Sequence, residues 1–72
     1  MTDLNTPGRR IRLLRESRGW SQAVLASKVY VTQQAVTYWE NDLRRPSLGA
    51  RIRLAEALGT TRHFLFGEEM AA

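Results

Sequence analysis

Apolar positions recur along this chain at helical spacing, in short stretches parted by Gly, Pro and hydroxyl residues. Ile11 and Leu14 mark the first, with Leu13 to one side, and Leu25, Ala26 and Val29 share one face of the second. Val36, Trp39 and Leu43, at i, i+3 and i+7, give the third a stripe to bury. Leu48, Ile52, Ala55 and Leu58 do the same for a fourth, and Phe64, Leu65 and Phe66 fill a last short one. Start and stop signals frame these stretches. Thr6 before Pro7 caps a helix over Gly8–Arg18 that stops at Gly19, while Ser21 and Thr32 cap the second and third helices. Pro46 bars continuation of the third, and Ser47 caps a helix over Leu48–Leu58 that ends at Gly59. Thr60 to Phe66 form the last, stopping at Gly67. The pattern predicts an all-α domain of five helices with its core at about residues 8–67 and flexible ends at 1–6 and 68–72. Trp20 is expected to pack inward.

The second face of the third helix carries the chemistry. Gln34, Thr37, Tyr38 and Asn41 lie opposite the apolar stripe, with Gln33 at the leading end. A solvated helix face ordinarily carries Lys, Glu or Arg. Amides, a hydroxyl and a phenol both donate and accept hydrogen bonds, which is what reading base edges in a DNA groove requires. Gln22, in the first turn of the second helix, can offer its amide to a phosphate beside free backbone N–H groups. Arg44 and Arg45 sit on the loop after the third helix, where they fit either a phosphate clamp or a solvated charge pair. Arg9, Arg10, Arg12, Arg15 and Arg18 surround the apolar positions of the first helix and leave the same two readings open.

Composition narrows the classes. Seventy-two residues support one small core, and 43% hydrophobic content is too high for a disordered tail. The chain has no cysteine, so neither a disulfide nor a thiolate metal site holds it. Eleven Lys and Arg against seven Asp and Glu leave a net charge of +4, a weak attraction to polyanions by itself. The apolar runs are far too short to span a bilayer, and the start lacks the pattern of a signal peptide, so a cytoplasmic location is expected. His63 is the only histidine and the acids follow no motif spacing. An enzyme, a metal site, a cofactor and a small-molecule ligand are therefore not expected. A protein-interaction module would present a more apolar face than the amide-rich one described.

Ser21-Gln22-Ala23, Leu25-Ala26, Val31-Thr32-Gln33-Gln34 and Glu40-Asn41 resemble the helix-turn-helix of the lambdoid phage repressor and Cro family. The likeness continues through Arg44-Arg45-Pro46, Leu54-Ala55-Glu56-Ala57-Leu58-Gly59 and Phe64-Leu65-Phe66-Gly67, roughly residues 8–67. It implies a compact lambda-repressor-like domain with the helix-turn-helix at helices two and three. The function implied is that of a prokaryotic or phage transcription regulator, a repressor binding a palindromic double-stranded operator as a homodimer. Controller proteins of restriction-modification systems and antitoxin-type regulators share the fold. By resemblance, Gln33 takes an adenine and Gln34 the neighbouring base pair, and Gln22, Asn41, Arg44 and Arg45 grip phosphates; Thr37 and Tyr38 come next along the groove, Tyr38 being a departure from the relatives. Arg15 pairs with Glu40 to fix the first helix against the third, and Phe64 or Phe66 lies at a two-fold interface. The sequence departs from the family at Tyr30, where the turn usually has Gly, and at Arg51 and Arg62, where relatives tend to be apolar.

Overall fold

The computed structural model describes residues 6–67, which form α1 (Pro7–Ser17), α2 (Gln22–Lys28), α3 (Gln33–Glu40), α4 (Leu48–Leu58) and α5 (Arg62–Phe66). The flexible ends expected at 1–6 and 68–72 lie outside these residues except for Thr6, which is ordered as a cap. Every helix begins on a hydroxyl. Thr6, Ser21, Thr32, Ser47 and Thr61 each accept a bond from the backbone N–H three residues on. Each such cap contributes about 1 kcal/mol by satisfying a donor the helix cannot. Because Thr61 caps, α5 starts at Arg62 and not at Thr60.

The helices stop in a common way. Gly19, Tyr30, Asp42 and Gly59 take left-handed conformations after α1 to α4. The N–H of the next residue reaches back five positions, as in Val31 to the Ala26 carbonyl at 3.0 Å and Leu43 to that of Tyr38 at 2.9 Å. Tyr30 keeps the glycine-type turn at φ 61° and is 84% exposed. The turn is not adjusted to suit the residue. A non-glycine in this region carries about 1–2 kcal/mol of strain.

α1 packs against α3, α4 and α5, α2 packs against α3, and α4 against α5. The core they enclose is built on Ile11, Leu25, Val29, Val36, Leu54, Leu58 and Leu65, all fully buried, with Trp39 and Phe66 nearly so. Each buried aliphatic side chain contributes about 1.5–3 kcal/mol relative to exposure. Trp20 is half-buried against this core, with the Lys28 ammonium 4.5 Å from its ring centroid.

Two expected stripes are corrected. Leu43 is 68% exposed, because α3 ends at Glu40 and the left-handed turn at Asp42 carries the chain off the helical projection. On α4 the buried edge is Ala50, Leu54, Ala55 and Leu58, so Leu48 and Ile52 face solvent at 51% and 40%. The α4 edge that meets α1 and α5 thus runs through the small Ala50, and the larger Leu48 and Ile52 flank it.

Gly8 sets the approach of α1 to α3. A Cβ there would stand 2.5 Å from the Glu40 carbonyl oxygen and closer still to that of Trp39, so only glycine lets the two backbones meet. The Gly8 N–H donates to the Asp42 Oδ1 at 2.9 Å, tying the start of α1 to the turn that ends α3.

Candidate nucleic-acid interface

α3 has one buried side and one open one. Val36, Trp39 and Glu40 are buried, while Gln33, Gln34 and Asn41 are exposed and Thr37 and Tyr38 half-exposed. The amide and hydroxyl residues therefore form a row on the outer side, anchored from behind by the valine and tryptophan. Arg44 and Arg45 are exposed on the loop that follows.

Behind the row lies a polar network. Arg15 Nε and Nη2 donate to the two carboxylate oxygens of Glu40 at 2.6 and 3.1 Å, and Nη1 donates to the Trp20 carbonyl at 2.7 Å. The Glu40 side chain is 1% exposed, so its charge is matched by this fork and by the neighbouring amide of Gln22. The hydrogen bond to Glu40 raises the Arg15 pKa beyond its already high ordinary value, against the opposing effect of burial. A raised folded-state pKa means that loss of the Arg15 proton removes this stabilisation only in strong alkali.

The network reaches the surface through Gln22, whose Nε2 donates to Glu40 Oε1 at 3.0 Å while its Oε1 accepts from the Thr37 hydroxyl at 2.7 Å. α1, α2 and α3 are thus joined by one chain of hydrogen bonds. Gln22, expected to offer its amide to a phosphate, is half-buried and bridging, and one of its two amide N–H groups remains for an acceptor outside. The Thr37 hydroxyl donates inward, so its proton is not offered to a ligand.

In front of α3, Gln34 Nε2 donates to the Tyr38 hydroxyl at 2.9 Å, and the Arg44 guanidinium lies over the Tyr38 ring, 5.4 Å from its centroid. These side chains, with Thr32, Arg45 and Ser47, line an open groove of about 340 Å³. Asn41 turns its Nδ2 to the Thr37 carbonyl at 2.9 Å and caps the end of the helix.

Of the two phenylalanines named for an interface, Phe64 is 43% exposed. Phe66 is corrected: at 8% exposure it belongs to the core, with the Arg51 guanidinium 6.0 Å from its ring centroid. The five-residue α5 turns Leu65 and Phe66 inward, and Phe64 falls on the other side. Sequence reasoning missed the Gln22 bridge and the Asp42 anchor on Gly8, which join residues distant in sequence, and the Arg44 stack, which depends on the chain reversal at Asp42. Among the described residues no group of three or more His, Cys, Asp and Glu could hold a metal ion, and no helix is long and apolar enough to cross a membrane.

The helix-turn-helix family pattern matches residues 11–65. The P22 c2 repressor, solved in complex with synthetic operator 9T, superposes with a TM-score of 0.83 at 29% identity, over 89% of this chain and 98% of that one. The N-terminal DNA-binding domain of SinR from Bacillus subtilis gives 0.79 at 27% identity, over 90% and 96%. The restriction-modification controller protein C.AhdI from Aeromonas hydrophila gives 0.79 at 35% identity, over 92% and 100%. A comparison with curated protein sequences gave no match. With a family match over most of its length and the same five-helix arrangement, the chain belongs to the helix-turn-helix family, in its lambda-repressor-like form: transcription regulators that bind DNA and are not enzymes.

Proposed function

We propose that the chain represses transcription by binding a palindromic operator as a homodimer, with α3 of each copy in the major groove. The observation that carries this is the open row of Gln33, Gln34 and Thr37 on α3, with Arg44 and Arg45 beside it and Val36 and Trp39 holding it from behind. The P22 c2 repressor bound to its synthetic operator and a SinR complex with DNA support the reading. Gln33 and Gln34 enter the groove first. Glutamine bonds adenine N6 and N7 together, with about 1–3 kcal/mol of discrimination per good bidentate contact. The Thr37 methyl then faces a thymine, its hydroxyl being bound to Gln22. The free N–H of Gln22, with Asn41, Arg44 and Arg45, grips phosphates and supplies salt-dependent affinity.

Phe64 fits a two-fold contact between copies, with Leu48 and Ile52 as further apolar surface on the neighbouring helix. The 35% identity to C.AhdI over its whole length favours a restriction-modification controller as the second reading. Selection from a random DNA pool tests both. A palindrome with half-sites about 34–36 Å apart is expected for a dimer of this geometry, and enrichment of no sequence, or of an asymmetric single site, overturns the proposal.

A further inference from the structure

Three side chains on the outer side of α3 are joined through one ring. Gln34 donates to the Tyr38 hydroxyl at 2.9 Å from one helical turn away, and the Arg44 guanidinium rests on the face of that same ring, 5.4 Å from its centroid. Tyr38 is half-buried and lines the groove with both partners, whereas Gln34 and Arg44 are exposed. Its two polar attachments are therefore at different atoms. The hydroxyl restrains an amide, and the π-face restrains a cation.

Each restraint has a chemical consequence. An exposed glutamine samples many rotamers. Once one amide N–H is bound to the phenol, the other N–H and Oε1 are left side by side in a fixed direction, the donor–acceptor pair a base edge requires. An arginine laid on a ring likewise loses less side-chain freedom when it takes a phosphate.

We propose that Tyr38 is a positioning residue and not an independent base reader: its hydroxyl sets the base preference of Gln34, and its ring sets the grip of Arg44 on the DNA backbone. Sequence preference and salt-dependent affinity are then coupled through a single side chain. The inference rests on α3 being the base-reading helix, as given under Proposed function.

The two attachments can be cut separately. Wild type, Gln34→Ala, Arg44→Ala, Tyr38→Phe and Tyr38→Leu are compared by selection from a random DNA pool and by binding at several salt concentrations, after circular dichroism confirms folding. Tyr38→Phe keeps the ring and removes one oxygen. It should lose about tenfold in preference at the same base pair as Gln34→Ala, with an unchanged salt slope, and a chain carrying both Gln34→Ala and Tyr38→Phe should lose no more. Tyr38→Leu should show that loss together with a salt slope reduced by about one, as in Arg44→Ala. If Tyr38→Leu does not fold, Tyr38→Gln takes its place. Full preference in Tyr38→Phe, a loss at a different base pair, or a wild-type slope in the ring-less variant overturns the proposal. A wild-type chain that enriches no sequence overturns instead the reading beneath it.

Discussion

Two polar clusters start from the same helix and differ in what covers them. Behind α3, Glu40 is held by Arg15 and Gln22 with its side chain 1% exposed; in front, Gln34, Tyr38 and Arg44 interact at the edge of solvent. The bonds are chemically similar, but burial changes what they do. A buried carboxylate has no water to replace a lost partner, so the inner cluster fixes α1, α2 and α3 in one arrangement. In the outer cluster water can take the place of a lost partner, so cutting its bonds should leave the fold intact.

The comparison is sharpest at Glu40→Ala. It leaves the Arg15 charge buried without its partner and should destabilise the domain by about 3–5 kcal/mol; a loss below about 1 kcal/mol in urea unfolding would show that the pair is hydrated in solution. Gly8→Ala, which drives a methyl group into the Trp39 and Glu40 carbonyls, should cost about 1–3 kcal/mol, and an unchanged melting temperature would mean that α1 sits farther from α3 than described. Tyr30→Gly works the other way. Relief of the left-handed strain, less the extra chain entropy of glycine, should raise stability by about 1 kcal/mol, and a lower denaturation midpoint would mean that the ring makes a stabilising contact. Thr37→Val keeps the shape but deprives Gln22 of its inner donor, at about 1 kcal/mol. Gln34→Ala, on the outer side, should stay within about 0.5 kcal/mol of wild type by calorimetry; equal losses from these last two would erase the distinction between the clusters.

Much of this was legible in the chain itself. Most helix bounds follow from the hydroxyl caps at Thr6, Ser21, Thr32 and Ser47, from Pro46, and from glycines at the ends of α1, α4 and α5, all local signals acting over three or four residues; the start of α5 at the Thr61 cap is the exception. The open row on α3 follows from the spacing of Val36 and Trp39. Pattern and structure part where an apolar periodicity runs past the end of its helix, as at Leu43, or where two possible stripes compete, as on α4. There Leu48 and Ile52 have the hydrophobicity for burial, but packing against α1 and α5 selected the stripe through Ala50, Leu54 and Leu58. Phe66, buried where Phe64 is exposed, differs from expectation for the same reason. Which of three consecutive apolar residues turns inward depends on the angle at which α5 meets the core, and no local rule fixes that angle.

The sequence by itself determined where helices start and stop, and that one helix sets its amides opposite an apolar stripe, because caps, turns and periodicity act between near neighbours. Only the tertiary structure decided that Gln22 bridges Thr37 to Glu40, that Asp42 holds the start of α1, and that Arg44 folds back onto Tyr38. The first two bring together residues 15 to 34 positions apart, and Arg44 meets Tyr38 only because the chain reverses at Asp42. Such meetings are set by how helices pack, a property of the whole core.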